Sequence, residues 1–287
     1  MGPTGWGKLT MSERFDELVR LMARLRAPDG CPWDRKQTHD SLKPYLLEET
    51  YEVLETIDKR DELKLREELG DLLLQILFHA QIAAERKAYS VEDVLALLAD
   101  KLVRRHPHVF GRKEEGTLTP DQVYANWEEI KKSERQRAGG SESALDGVPK
   151  TLPALLRAFQ TQARASRVGF DWPQNSEGVH QVMGKVTEEI GELTDAYTAQ
   201  TNQNGDDDRE AARRHLENEM GDVLFSLVNL ARFLKVNPED ALRRATDRFA
   251  DRFHFVEAEA ARTGRTLQSM TLEEMDSLWE MAKAKEV

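Results

Sequence analysis

Two groups of acids in this chain have the types and spacing to hold a hard cation. Glu48, Glu49 and Glu52 precede Glu68 and Asp71, and Glu188, Glu189 and Glu192 precede Glu219 and Asp222, so each group reads Glu-Glu-x-x-Glu and then Glu-x-Gly-Asp. On an α-helix, residues three and four apart share a face. Glu49 with Glu52, and Glu68 with Asp71, can therefore aim carboxylates at one spot from two antiparallel helices. The same holds for Glu189 with Glu192 and Glu219 with Asp222. Four carboxylates brought that close repel one another unless cations sit between them. Oxygen-only ligands suit Mg2+ or Mn2+, and Mg2+ characteristically combines a few carboxylates with waters and the phosphates of a substrate.

Acids make up 52 of 287 residues, so one such match alone could be an ordinary solvated helix face. The duplication and its flanks argue for a site. Glu68-Leu-Gly-Asp71-Leu-Leu aligns with Glu219-Met-Gly-Asp222-Val-Leu, and Ser90-Val-Glu-Asp93 aligns with Asn237-Pro-Glu-Asp240. Beyond those caps, Asp100-Lys101-Leu-Val-Arg104-Arg105 aligns with Asp247-Arg248-Phe-Ala-Asp251-Arg252. Agreement at several separate blocks marks one unit used twice.

The segments that must position these acids are patterned as helices. Phe15, Leu18, Val19, Met22 and Leu25 form one apolar stripe behind a Ser12 N-cap, and further starts are marked by Ser41, Asp61, Ser90 and Thr119-Pro120. In the second half, helices are expected from about Leu152, from Ser176, near Asp206 to Asp208, at Asn237-Pro238 and at Thr271. The polar run Asn202 to Asp208 lengthens the spacer between the acid pairs to 26 residues, against 15 in the first copy. The expected fold is all-α, with two tandem helical bundles. The expected layout is a flexible N-terminus at 1–11, a first repeat at 12–138, a linker at 139–150 opened by Gly139, Gly140 and Ser141, and a second repeat at 151–287.

Composition excludes several function classes. A net charge of -11 argues against broad, charge-driven binding to nucleic acid, which draws its affinity from many Lys and Arg contacts to phosphate. No apolar run is long enough to span a membrane and no signal-peptide pattern opens the chain, so a cytoplasmic location is expected. The single Cys31 forms no internal disulfide and lacks partners at zinc-finger spacing. Gly2-Pro-Thr-Gly-Trp-Gly7-Lys8-Leu9 resembles a phosphate-binding loop, but Leu9 stands where a hydroxyl should hold the metal and no strand precedes it. A di-iron bundle would need Glu-x-x-His on two helices, and Glu177 to His180 has no counterpart in the first half. His106-Pro-His108 reads as a helix-ending turn. Trp33 and Trp172 stand 15 and 16 residues before Glu48 and Glu188; each ring could stack on a base or pack in the core. Lys101 to Arg105 and Arg243 to Arg252 are basic stretches that could bind phosphate or simply face solvent.

Beyond the acid spacing, Gly30-Cys-Pro-Trp-Asp34, Tyr45-Leu-Leu-Glu-Glu-Thr-Tyr-Glu52, Arg105-His-Pro-His-Val-Phe110, Asn126-Trp-Glu-Glu129 and Arg164-Ala-Ser-Arg-Val-Gly-Phe-Asp-Trp172 carry a resemblance. The chain resembles, from about residue 12 onward, the MazG nucleoside triphosphate pyrophosphohydrolases of the all-α NTP pyrophosphatase superfamily. The resemblance implies hydrolysis of nucleoside triphosphates to monophosphate and pyrophosphate, broad base tolerance and a house-cleaning role in the nucleotide pool. It implies a cation on Glu189, Glu192, Glu219 and Asp222, with Glu49, Glu52, Glu68 and Asp71 as the matching set, and Glu188 or a ligand carboxylate as general base. Lys185, Arg248 and Arg252 would hold the triphosphate, with Lys101 and Arg105 in the basic positions of the first copy and Trp172 beside the base. Asn229 and Arg232, also expected to bind substrate, follow the second motif where the first has Phe78 and Gln81, which favours the second repeat as the main site. The family also implies a homodimer.

Overall fold

The structure, a computed structural model, describes residues 10–111, 118–137, 143–201 and 206–285. The Gly2 to Leu9 stretch, the Gly139 to Glu142 part of the expected linker and Asn202 to Gly205 of the polar run lie outside the described residues. Among the described residues there are 12 α-helices, one 3-10 turn and no strand. The chain divides into two compact units, Met1–Glu134 and Arg135–Val287.

The first unit is built from α1 (Met11–Arg26), α2 (Pro32–Lys36), α3 (Lys43–Lys59), α4 (Glu62–Glu85), α5 (Val91–Arg105), α6 (Pro107–Phe110) and α7 (Pro120–Arg137), the last of which runs across the boundary. The cap of α1 differs from expectation. Thr10 takes that place, its hydroxyl accepting from the Glu13 N–H and the Glu13 carboxylate accepting from the Thr10 N–H, so Ser12 lies inside the helix. Ser41 likewise serves a turn, donating to the Gln37 side chain, and α3 starts after Leu42. Asp61 does cap α4, accepting from the N–H groups of Leu63 and Lys64 at 3.1 and 3.0 Å.

The α3–α4 connection sets the register of the first acid group. Arg60 turns the chain in the left-handed region at φ 55°, and Asp61 starts the next helix at once. Counted from this turn, Glu52 lies as far back as Glu68 lies forward, and Glu49 as far back as Asp71 forward. Antiparallel helices with equal rise per residue must therefore bring these pairs level. The frame is held by Met22 of α1, Leu42, and Phe78 and Ile82 of α4, which form one buried cluster. Each such side chain contributes roughly 1.5–3 kcal/mol when taken from water.

The second unit comprises α8 (Ala154–Arg167), α9 (Ser176–Thr201), α10 (Asp206–Phe233), α11 (Pro238–Arg262) and α12 (Leu272–Lys285). The long α9 and α10 pair along their lengths, α8 lies against α10 and α11, and α11 lies against α12. Val182, Val186, Ala196, Val223 and Val228 are buried on the pair, and the Gln162 amide of α8 donates to the Phe225 carbonyl at 2.8 Å. Met183, Ile190 and Tyr197, seven residues apart on α9, stay exposed with Met220, Leu224 and Leu227 of α10.

Two glycines of α9 give opposite expectations. A β-carbon at Gly178 would collide with the Pro173 carbonyl oxygen and press on Phe233, whereas one at Gly184 meets nothing within 4 Å. Gly178→Ala should lower the denaturant midpoint by the equivalent of about 1–3 kcal/mol, the usual cost of overpacking. Gly184→Ala should raise it by about 0.5–1 kcal/mol through helix propensity. Equilibrium unfolding followed by far-UV circular dichroism checks both signs.

Candidate active sites

In the first unit, oxygens of Glu49, Glu68 and Asp71 lie within 4.8 Å of one another. Glu68 is only 3% exposed, and Lys64, one turn earlier on α4, places its ammonium 2.7 Å from it. Glu52 falls outside the triad but stands beside Glu68, and burial together with that neighbour pushes its carboxyl up. The Glu49 carboxyl is also pushed up, first by burial and then by Asp71, Glu52 and Glu68, while the Gln75 side chain hydrogen-bonds it and works the other way. Loss of water is the larger cause of each upward shift, and the neighbouring carboxylates add to it.

In the second unit the triad is Glu189, Glu192 and Glu219, again within 4.8 Å. Glu189 is 6% exposed, and Lys185 bridges Glu188 at 2.9 Å and Glu189 at 2.5 Å. Burial and then Glu189 push the Glu192 carboxyl up, with Glu219 and Glu188 adding to the push and Lys185 opposing it. Asp222 is exposed and lies outside the triad, unlike its counterpart Asp71. His215, one turn before Glu219, places Nδ1 3.2 Å from it, in the position that Lys64 holds before Glu68. One lysine does not cancel three carboxylates, and every donor in either triad is a hard oxygen. That donor set and charge deficit fit a divalent cation.

Arg232 does not point free at a substrate. Its guanidinium forks onto Asp171 at 2.5 and 2.8 Å, donates to Asn229 Oδ1 at 2.7 and 3.1 Å, and lies over the Phe233 ring. Asp171 accepts from the Trp172 N–H at 3.0 Å, so the buried pair fixes the backbone that carries the indole. Burial alone would raise the Asp171 carboxyl, but the hydrogen bonds from Arg232, Ser166 and Trp172 outweigh it and hold the group below its ordinary range. Trp172 and Trp33 are 38% and 48% exposed, so neither ring is core. Trp33 meets Tyr45 and Phe78 edge-on. Arg248 is exposed on α11, and Arg252 sits 5.6 Å over the Trp279 ring of α12.

The acid motifs coincide with recognised domain matches. The model of the MazG nucleotide pyrophosphohydrolase domain matches residues 37–110 and again 177–256. A Thermotoga maritima protein named nucleoside triphosphate pyrophosphohydrolase/pyrophosphatase MazG is 47% identical over 269 residues, covering 94% of this chain and 95% of its own. An Escherichia coli K12 protein named nucleoside triphosphate pyrophosphohydrolase is 43% identical over 277 residues, covering 96% and 98%. The chain belongs to the MazG family. The uncharacterized protein YabN of Bacillus subtilis is 45% identical over 272 residues, 95% of this chain but 52% of that protein.

Each MazG domain match contains one complete acid group, Glu48 to Asp71 in the first and Glu188 to Asp222 in the second. Within these MazG repeats the structure adds participants that lie outside the acid motifs. Lys64 and His215 were findable, because both stand four residues before the first acid of the second pair. Gln75 on Glu49 and Asp171 on Arg232 were not, since helix periodicity cannot align residues 26 and 61 positions apart.

Arg232→Ala would strand the Asp171 carboxylate in a site where it is 9% exposed, and a buried charge without its partner costs about 3–5 kcal/mol. Asp171→Asn with Arg232→Gln should recover much of that loss. Because the folded Asp171 value is depressed, the stabilisation is present above the unfolded value of 3.8 and is lost as pH falls through the folded one. Thermal melts of the three proteins between neutral pH and pH 3 check the ranking and its convergence in acid.

Proposed function

We propose that this chain hydrolyses nucleoside triphosphates to nucleoside monophosphate and pyrophosphate with a divalent cation, Mg2+ or Mn2+, at the carboxylate triad of the second repeat. The observation that carries the reading is a mutually repelling carboxylate triad from paired helices, with one buried member (Glu68 or Glu189), lying inside each match to the MazG domain and in a chain that is 43–47% identical to pyrophosphohydrolases over nearly its whole length. A cation bound there would neutralise phosphate oxygens and lower the pKa of a water.

The chain's own residues then divide the work. Glu189, Glu192 and Glu219 hold the cation, with Asp222 completing the set; Glu49, Glu52, Glu68 and Asp71 do so in the first repeat. Glu188, steadied by Lys185, or one of the holding carboxylates takes the proton from the attacking water. Lys185, Arg248 and Arg252 bind the phosphate chain and ease departure of pyrophosphate. Arg232 and Asn229 act one step removed, by fixing the Asp171–Trp172 turn so that the indole can meet the base. Broad base tolerance follows from a flat ring that stacks on any base, and it suits removal of unwanted triphosphates from the nucleotide pool. The exposed apolar stripes of α9 and α10 support a homodimer that covers them. No helix among the described residues is long and apolar enough to cross a membrane. We place the protein in the cytoplasm.

The test is turnover of a panel of triphosphates by purified protein, with products separated by chromatography. Turnover should need Mg2+ or Mn2+ and stop in excess chelator, and the products should be monophosphate and pyrophosphate. Diphosphate and orthophosphate as main products, or full turnover in chelator, would sink the reading. Glu192→Gln should cost more than about a hundredfold, the scale lost when a group that stabilises transition-state charge is removed. Glu52→Gln should cost far less if the second repeat does the work. The reverse order would move the main site to the first repeat.

A further inference from the structure

The aligned basic turns of the two repeats have different partners. In the second repeat, Arg252 of α11 lies over the Trp279 ring. In the first, Arg104 and Arg105 at the end of α5 converge on one carboxylate, that of Glu134 in α7. Arg104 Nε donates to Glu134 Oε1 at 2.8 Å, while Arg105 Nη2 and Nε donate to Oε2 at 2.6 and 3.2 Å. The Arg105 fork, with Arg104 assisting, holds the Glu134 carboxyl down at about 2, so it stays charged across the physiological range.

A carboxylate in a guanidinium fork presents the same paired oxygens as a phosphate. The charges do not balance here. Among the described residues, the two guanidinium groups and Lys101, one turn earlier on the same face, outnumber the carboxylates of Glu134 and of Asp100, one turn before Arg104, which leaves room for a more highly charged anion. A second observation at this spot is independent of charge. Trp127 of α7 meets the His106 ring edge-on at 4.9 Å, next to Arg105, and its indole Nε1 is buried without a hydrogen-bond partner. A buried N–H left unsatisfied costs about 1–3 kcal/mol, and release of α7 would expose it to water and remove that cost. Among the described residues, the Glu134 fork and the Trp127–His106 contact join α7 to the end of α5.

We propose that Lys101, Arg104 and Arg105 form a polyphosphate-binding turn in the first repeat and that Glu134 occupies it as a tethered stand-in, released together with α7 when a polyphosphate chain binds. The inference rests on the reading of the chain as a triphosphate hydrolase and deepens it: to the basic positions Lys101 and Arg105 it adds Glu134 as an internal competitor, and it stands or falls on a different measurement. Glu134 would make the first repeat a conditional site, open only when the ligand outcompetes the internal carboxylate.

Hydrogen exchange of the full-length protein, read in peptides covering residues 91–105 and 120–137, tests this with magnesium tripolyphosphate as the probe. In wild type, tripolyphosphate should slow exchange at the end of α5 and speed it in α7. Glu134→Gln should show the fast α7 exchange without ligand, and its α5 protection should saturate at a tripolyphosphate concentration about tenfold lower, within the usual range of coupling between competing ligands. Arg105→Ala should lose the ligand response at both places. The proposal is overturned if tripolyphosphate leaves α7 unchanged in wild type, or if sodium chloride at matched ionic strength opens α7 equally, which would mark an ordinary screened ion pair. It is also overturned if Glu134→Gln binds no more tightly than wild type. Turnover of triphosphates by these proteins is a separate readout: an exchange result against the latch with intact pyrophosphate release leaves the proposed reaction standing.

Discussion

Three carboxylates held within 4.8 Å between two packed helices are the constraint on which both repeats depend. Such a group is unfavourable in the folded protein, as the raised carboxyls of Glu49, Glu52 and Glu192 register. It persists because the helices that carry it are fixed elsewhere, by Phe78, Ile82 and Met22 in the first unit and by the valines of α9 and α10 in the second. Strain of this kind is stored where function needs it and is compensated by packing at a distance. A cation bound there would turn the same arrangement from a liability into a rigid, preorganised charge centre.

Each repeat lowers the tension with an internal ammonium, but from opposite helices. Lys64 reaches Glu68 from within α4, the helix of the second acid pair, whereas Lys185 reaches Glu188 and Glu189 from within α9, the helix of the first. The opposite helix carries a histidine, His215, in the second repeat. The two sites are thus alike in their acids and unlike in the charges around them. That difference extends outward: Asn229, Arg232 and Asp171 form a polar network in the second repeat, whereas Phe78, the counterpart of Asn229, belongs to the apolar core of the first.

The surroundings of the basic helices show the same divergence. Helix α5 ends at Arg105 and meets a carboxylate from α7, while α11 continues to Arg262 and sets Arg252 over an aromatic ring. The two repeats share the spacing that makes a helix face and differ in what that face meets.

The sequence by itself determined the all-α class, the repeat and the acid groups, because helix geometry turns a spacing of three or four residues into a shared face without reference to anything else. The caps at Asp61, Ser90, Thr119 and Asn237 were legible for the same reason, being local hydrogen bonds. Thr10 in place of Ser12 and Leu42 in place of Ser41 were not, since a hydroxyl near a start can serve either a cap or a turn. Only the tertiary structure decided which three acids of each group converge, leaving Glu52 and Asp222 outside. Only it showed Arg232 bound to Asp171 and Arg105 bound to Glu134, pairs 61 and 29 residues apart. Sequence periodicity fixes what one helix presents, but what that surface meets depends on how helices pack, and packing is set by the whole set of buried side chains at once.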